Sequence, residues 1–267
     1  MVYSLYVITG ANRGFGRSIA LTLANKCQND IAFILIGREL ASLQVVSAEL
    51  GQYQHVRSVE LAAEPHGLDN AATTTQLLLE GVEPLVSALL PEIGSITLIN
   101  NAGSTGDLSQ TVAEYQPETI QSYIDMNVTS YITLVSGFLK LYQQKWANES
   151  RSLQLVNISS LLAIQPFSHW GLYATGKAAR DMLLAVIAKE YQSSSLIRTL
   201  SYAPGPLDNE MQCRVRETLG DPEQSALYND MAKKGNLVPM EDSAGKLVSL
   251  LQNNSYSSGA HIDYFDI

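Results

Sequence analysis

The sequence contains little that would direct the chain into a membrane, onto a polyanion or out of a reducing compartment. No apolar run approaches the ~20 residues of a membrane-spanning helix, and Gly10 ends the apolar start too early for a signal peptide. The two cysteines, Cys27 and Cys213, are too few for a disulfide framework. The formal net charge of -9 disfavours phosphate backbones as partners. We therefore expect a cytoplasmic protein that binds neither membrane nor nucleic acid.

Charged residues are also scarce, at 16%, whereas hydrophobic residues make up 46% of the chain. This balance argues against an intrinsically disordered chain and allows a packed core. The histidines have no spacing typical of metal ligands, so we predict no metal site. They are His55, His66, His169 and His261.

Short apolar segments alternate with helix-like segments along the 267 residues. We predict strands at 2–8, 31–36, 55–61, 95–99, 153–158, 197–202 and 259–264. We predict helices at 14–26, 39–50, 117–142 and 171–191, and one at 68–90 that is interrupted near Gly81 and Pro84. This alternation predicts an α/β fold, a Rossmann-type doubly wound parallel sheet with helices on both faces, in a single domain. Residues 204–238 are predicted to form a substrate-covering loop region with one or two short helices.

A glycine-rich turn at 9–16 joins the first predicted strand to the first helix and contains Gly10, Gly14 and Gly16. Glycine permits the tight turn and lets the backbone approach a pyrophosphate, while the helix N-terminus behind it favours an anion. The spacing differs from the GxGxxG fingerprint. Taken alone, the turn is therefore also compatible with a purely structural connection.

Two arginines favour a cofactor that carries a 2′-phosphate. Arg13 lies within the turn, and Arg38 follows the second strand, where a dinucleotide fold meets the adenosine ribose. An arginine accommodates a 2′-phosphate, whereas the neighbouring Glu39 could accept a hydrogen bond from a free 2′-hydroxyl. We predict NADP(H) as the cofactor, with Glu39 as the residue that would favour NAD.

Tyr173 and Lys177 are four residues apart on a predicted helix and share one face. A nearby ammonium lowers the pKa of a phenol, which makes Tyr173 a candidate proton donor to a forming alkoxide. Ser160, after the fifth predicted strand, could hydrogen-bond a substrate carbonyl, and Ser159 competes for this role. Asn127 could hold Lys177 through a water. Each of these residues, taken alone, also has an ordinary structural explanation.

Together these features resemble the short-chain dehydrogenase/reductase family over nearly the whole chain. The resemblance implies a catalytic tetrad of Asn127, Ser160, Tyr173 and Lys177. It implies a homodimer built from the helices at 117–142 and 171–191. It also implies a set of cofactor contacts made by Gly10, Asn12, Arg13, Gly14, Phe15, Gly16, Arg38, Leu61, Asn101, Ala102, Gly103, Tyr173, Lys177, Pro204, Gly205, Leu207 and Asn209.

Two positions depart from the family pattern. Asn209 stands where the family usually has a threonine that bonds the nicotinamide carboxamide, and it can make that bond with a different reach. Glu60 and Leu61 stand where the family tends to have Asp-Leu beside the adenine. The backbone N–H of Leu61 would preserve that contact.

Several segments are most similar to family members that reduce carbonyls on pterin side chains: 101–104 with 106–107, 156–161, 171–173, 176–182, 202–208 and 258–263. This resemblance implies a pterin substrate and a place in tetrahydrobiopterin biosynthesis, with Asp263 anchoring the pterin ring. It implies that Ser160 and Tyr173 hold the carbonyl, while Trp170 and Met211 line the pocket. Two alternatives stay open. One is a reductase of other small dicarbonyls, with Asp263 structural, and the other is a non-catalytic NADPH sensor.

Overall fold

This computed structural model describes residues 3–63 and 71–267. The predicted beginnings of the first strand at residue 2 and of the third helix at 68 lie outside the described residues. So does His66, one of the four histidines.

The described residues form a seven-stranded, wholly parallel sheet in the order β3-β2-β1-β4-β5-β6-β7. The strands are β1 Tyr3–Thr9, β2 Ile31–Gly37, β3 Val56–Ala63, β4 Ile93–Asn100, β5 Ser152–Ile158, β6 Ile197–Ala203 and β7 Ala260–Asp263. β2 is buried at every position, as expected for an inner strand covered on both faces. This sheet confirms the predicted α/β fold of the Rossmann type.

Helices cover both faces of the sheet, and the two layers of core are apolar. The helices of the described residues are α1 Gly14–Lys26, α2 Leu40–Leu50, α3 Ala71–Leu89, α4 Pro117–Ile124, α5 Ser130–Leu141, α6 Gly171–Glu190, α7 Glu210–Thr218, α8 Pro222–Lys233 and α9 Met240–Asn253. One core layer lies between the sheet and α1, α2 and α9, around residues such as Ile19 and Leu247. The other lies between the sheet and α3, α5 and α6, around residues such as Val82 and Phe138. Burial on both faces fixes the sheet between the helices.

The third helix is continuous, so the predicted interruption near Gly81 and Pro84 is wrong. α3 passes through both residues. Proline removes one helical hydrogen bond, but the buried face of α3 packs Leu78, Val82 and Val86 into the core at helical spacing. Burial of that face outweighs the local disruption.

The long helix predicted at 117–142 is instead α4 and α5 joined by a π-helical turn at Asp125–Thr129. A second π-helical turn, Tyr142–Trp146, extends α5. A π-helical turn adds a residue to a helical turn and is often found at functional sites. The first one contains Asn127, whose side chain is buried.

Residues 204–238 contain two helices, α7 and α8, as the sequence predicted. A parallel bridge between Leu207 and Val238 closes the base of this segment. The backbone N–H of Asp208 donates to the Val238 carbonyl, and the N–H of Val238 donates to the Pro206 carbonyl. The strand order reverses between β1 and β4, and open α/β sheets bind ligands beyond the carboxyl ends of their strands at such a point. The segment with α7 and α8 follows β6 at that same edge.

Candidate active site

The glycine-rich turn between β1 and α1 is held closed by the next strand of the sheet. Gly10 has a φ of 63°, a backbone conformation that favours glycine. The Nδ2 of Asn101 donates to the carbonyls of Thr9 at 3.0 Å and Gly10 at 3.2 Å. The backbone N–H groups of Asn101 and Ala102 both donate to Thr9 Oγ1 at 3.0 Å. Thr9 thus joins the glycine-rich turn to residues 101–102, which follow β4. The sequence analysis missed this role, which a polar residue at the end of an apolar strand could have indicated.

A cavity of about 860 Å³ opens at this edge of the sheet. It extends from the glycine-rich turn past β5 and α6 to α7, α8 and the C-terminal segment. Most of the site residues predicted from the sequence line it: Gly10, Asn12, Arg13, Gly14, Phe15, Arg38, Asn101, Ala102, Gly103, Ser160, Trp170, Tyr173, Lys177, Pro204, Gly205, Leu207, Asn209, Met211 and Asp263.

Gly16, Leu61 and Asn127 are outside this lining. A Cβ at Gly16 would lie 2.4 Å from the Gly10 carbonyl oxygen, so this glycine lets the turn close on itself. Leu61 is partly buried and packs against the core between the sheet and α1. Packing therefore explains the places of Gly16 and Leu61 in the fold.

Asn127 holds the backbone beside the cavity. Its Oδ1 accepts from the Ser104 N–H at 2.9 Å, and its Nδ2 donates to the Tyr123 carbonyl at 3.2 Å. Its own carbonyl accepts from Arg180 Nε, and Arg180 Nη1 donates to the Ala102 carbonyl at 3.0 Å. Asn127 and Arg180 together brace the loop that follows β4. Sequence reasoning did not single out Arg180, although it lies next to the Tyr173–Lys177 motif.

Tyr173 and Lys177 lie on the first turns of α6, beside the end of β5. The Ser160 side chain lies beside the Tyr173 hydroxyl and acts to lower its pKa. Lys177 Nζ donates to the Ile158 carbonyl at 2.6 Å and lies 5.5 Å from the centre of the Tyr173 ring. Trp170 packs edge-on against the same ring, 5.3 Å between centroids. A carbonyl placed here would meet both a serine and a phenol.

Ser159 is turned away from this pair. It is 2% exposed, and its hydroxyl donates to Asp181 Oδ2 at 2.8 Å. Both serines line the cavity, but the Ser160 hydroxyl is not bonded to Asp181 and accepts from the Leu162 N–H at 3.3 Å. The geometry therefore favours Ser160 over Ser159 as the group that contacts a substrate.

Burial dominates the ionisation of the two catalytic candidates. It raises the pKa of Tyr173 to about 12, against the opposing effects of the nearby Ser160 side chain and the positive charge of Arg180. It lowers the pKa of Lys177 to about 7, with Arg180 acting in the same direction and Asp181 opposing. The expectation that Lys177 lowers the pKa of Tyr173 does not hold here, because burial has the larger effect. The phenol stays protonated at neutral pH and can donate its proton.

Two arginines lie at the end of the cavity nearest β2. Arg13 Nη1 contacts Glu210 Oε2 at 2.8 Å, which connects the glycine-rich turn to the start of α7. Arg38 lines the cavity beside Gly37. Glu39 precedes α2 and accepts a hydrogen bond from Ser42 Oγ at 3.1 Å. The cavity lining at this end includes the two arginines and omits Glu39.

A further part of the cavity lining is formed by α7, α8 and the C-terminal segment. Asp263 is 8% exposed, and its Oδ1 accepts from the Phe265 N–H at 3.0 Å. Asn209 caps α7 by accepting from the Gln212 N–H at 2.9 Å. Because the Asn209 Oδ1 is engaged in this cap, the amide nitrogen Nδ2 is the part of the side chain that remains to contact a ligand.

Trp170 is fixed by α8, because its Nε1 donates to Gln224 Oε1 at 3.1 Å. It is buried, whereas Met211 on α7 is 43% exposed at the cavity margin. The lining near Tyr173 therefore combines a fixed aromatic ring with an adaptable thioether.

In the part of the chain that the structure describes, no group of three or more His, Cys, Asp or Glu side chains is placed to hold a metal ion. None of the helices in residues 3–63 and 71–267 is both long and apolar enough to span a bilayer.

Comparison with known proteins gives consistent matches over most of the chain. The short chain dehydrogenase family matches residues 4–220. Sepiapterin reductase of Meriones unguiculatus is 43% identical, covering 97% of this chain and 95% of the relative. Sepiapterin reductase of Bos taurus is 40% identical over 98% of this chain and 95% of the relative. Benzil reductase ((S)-benzoin forming) of Bacillus subtilis is 26% identical over 94% of each chain.

Solved structures share the fold. A short-chain dehydrogenase/reductase from Saccharomyces cerevisiae has a TM-score of 0.78 at 23% identity, covering 99% of this chain and 96% of its own. A short-chain dehydrogenase from Shigella flexneri, complexed with NADP, has a TM-score of 0.73 at 22% identity, covering 97% of this chain and 96% of its own. With the family match over most of its length and relatives above 40% identity, this chain belongs to the short-chain dehydrogenase family and is an oxidoreductase.

Proposed function

We propose that the protein reduces a carbonyl on the side chain of a pterin, with NADPH as the hydride donor. The observation that carries this proposal is one cavity that contains both the Ser160–Tyr173 pair and the buried carboxylate of Asp263. The full-length relatives named sepiapterin reductase support it. Sepiapterin and 6-pyruvoyl-tetrahydropterin are the substrates that we expect, which would place the enzyme in tetrahydrobiopterin biosynthesis.

The residues of the cavity fit a phosphorylated dinucleotide. The turn at Gly10 and Gly14 exposes the N-terminus of α1 to a pyrophosphate. Arg13 and Arg38 lie where a 2′-phosphate would be bound, and both line the cavity. NADPH supplies a hydride when it is bound. We therefore infer NADP(H) rather than NAD as the cofactor.

Tyr173 supplies the proton. Its phenol is protonated at neutral pH and lies beside Ser160, so a carbonyl oxygen placed between the two hydroxyls would receive two hydrogen bonds. As the oxygen gains negative charge, the Tyr173 proton passes to it and an alcohol forms. Negative phosphates in the cavity would favour the ammonium form of Lys177, and that charge would offset part of the effect of burial on the pKa of Tyr173.

Asp263 orients the substrate. A carboxylate can accept two parallel hydrogen bonds from the 2-amino-pyrimidine edge of a pterin. The bond from Phe265 N–H uses part of the acceptor capacity of Asp263 and fixes its side chain. Trp170 and Met211 would pack against the flat ring, and α7 and α8 would cover it.

A homodimer is also proposed. Apolar side chains are exposed on the helices that the family resemblance assigns to a dimer contact: Ile132 on α5 is 40% exposed, and Met182 and Val186 on α6 are 64% and 44% exposed. A second copy would bury them.

The two cysteines form no disulfide, which is compatible with a reducing compartment such as the cytoplasm.

A second candidate is a reductase of small dicarbonyls, favoured by the similarity to benzil reductase. Asp263→Asn separates the two functions. Loss of the negative charge should lower kcat/KM for a pterin by at least about tenfold, because the pterin edge loses a charged acceptor. Reduction of benzil should change little. Asp242→Asn, an exposed site in the first turn of α9, is the matched control.

Equal loss of pterin and benzil reduction in Asp263→Asn would contradict the anchor role and support the dicarbonyl reductase. Tight NADPH binding without turnover of either substrate would favour the third possibility, a non-catalytic sensor.

A further inference from the structure

A buried carboxylate lies behind the catalytic residues and is not part of the chemistry described above. Asp181 follows Lys177 by one turn of α6. Its Oδ1 accepts from Asn157 Nδ2 at 2.8 Å, and its Oδ2 accepts from Ser159 Oγ at 2.8 Å and from His261 Nδ1 at 2.7 Å. The Asp181 and His261 side chains are only 14% and 16% exposed. One carboxylate thus connects β5, α6 and β7.

Both ends of this connection lie next to residues of the active site. Ser159 directly precedes Ser160, the residue beside the Tyr173 hydroxyl. His261 lies two residues before Asp263 on β7, so the two side chains project from the same face of that strand. His261 reaches α6, while Asp263 lines the cavity.

β7 depends on such side-chain contacts for its position. It is a four-residue strand, Ala260–Asp263, at the end of the sheet order, and among the described residues it pairs with β6 alone. Gly259, with a φ of 85°, brings it close to α6; a Cβ there would lie 2.9 Å from Ala188 Cβ. A short edge strand held on one side needs further contacts to fix its register with a helix.

We propose that the Asp181–His261 pair positions the substrate anchor, setting the place of Asp263 relative to the proton donor Tyr173. The pair acts through the backbone of β7 and does not touch the substrate. The inference rests on the proposed pterin reduction. It makes Asp181 and His261 positioning residues for substrates that use Asp263, and leaves them unimportant for carbonyls that do not.

The charge on Asp181 also favours the ammonium form of Lys177, so changing Asp181 would alter two properties at once. Changing His261 isolates the positioning role. His261→Phe keeps a ring and removes the donor to Asp181. His261→Asn keeps a donor at the place of Nδ1. His55→Phe, at the opposite edge of the sheet before β3, is the matched control.

The experiment measures kcat and KM with NADPH for sepiapterin and for benzil. We expect His261→Phe to raise the sepiapterin KM by about tenfold and to leave benzil kinetics and His55→Phe kinetics unchanged. His261→Asn should restore the sepiapterin KM to within about threefold of wild type. Combining His261→Phe with Asp263→Asn should cost no more than Asp263→Asn alone, because both act on the same anchor.

An unchanged sepiapterin KM in His261→Phe would overturn the positioning role. So would an equal decline for both substrates, or a failure of His261→Asn to restore the KM. A wild-type protein that reduces benzil and not sepiapterin would instead overturn the proposed function, and the anchor with it.

Discussion

Lys177 is a buried amine whose ionisation should control the stability of the cofactor-free protein. It is 9% exposed, and burial lowers its pKa from the ordinary 10.5 to about 7. Between those two values the unfolded chain binds more protons than the folded chain, so stability rises with pH. Below pH 7 the folded state carries a buried ammonium and the full cost is present.

The size of the effect follows from the displacement of the pKa. At about 1.4 kcal/mol per pH unit, the cost of the charge reaches at most about 5 kcal/mol below pH 7 and falls to about 2 kcal/mol at pH 9. Lys177→Met keeps the length and removes the charge. It also leaves the Ile158 carbonyl without its Nζ donor, a loss of about 1 kcal/mol at every pH.

The stability gain from Lys177→Met should therefore be larger at pH 6.5 than at pH 9 by about 2.5 kcal/mol. Urea unfolding of the cofactor-free protein at a fixed protein concentration measures it. Subtracting the wild type removes the contribution of other titrating groups. Lys189→Met, at an exposed position near the end of α6, is the control and should show no such pH dependence. A gain for Lys177→Met that is the same at both pH values would refute the reasoning.

Three further predictions concern the cofactor turn and the pocket. Gly16→Ala should weaken NADPH binding at least about tenfold by calorimetry, because its Cβ would meet the Gly10 carbonyl; Gly81→Ala, in open space on α3, should instead stabilise the fold by about 0.5–1 kcal/mol. Arg38→Glu should raise the KM for NADPH about tenfold or more and leave NADH unaffected; equal effects would contradict a 2′-phosphate contact. Gln224→Leu should raise the sepiapterin KM several-fold by removing the Trp170 acceptor, and an unchanged KM would argue against a fixed ring.

The main features of the fold are legible in the sequence because they depend on local patterns. β2 is an unbroken apolar run, which is typical of a strand covered on both faces. The helix α1 begins and ends where the sequence pattern predicts. Tyr173 and Lys177 share a helix face through spacing alone. The signals that failed were also local, since Gly81 and Pro84 break helices in isolation but not when a core holds the other face.

Features that depend on distant residues could not be predicted. Asp181 and His261 are 80 residues apart, and no sequence pattern predicts that they meet. Whether the pKa of Tyr173 is raised or lowered depends on how deeply the side chain is buried, which the spacing of residues does not reveal. The bond from Ser104 N–H to Asn127 could not be predicted for a similar reason, since Asn127 lies in a π-helical turn; its water-mediated contact with Lys177 stays a prediction.

The most direct test of the account is the loss of the yellow absorbance of sepiapterin when purified protein is mixed with NADPH, with NADH and Tyr173→Phe run beside it. We expect rapid loss with NADPH, little with NADH, and none in Tyr173→Phe even though that variant still binds NADPH. No loss of absorbance in wild-type protein that binds NADPH, or undiminished loss in Tyr173→Phe, would contradict it.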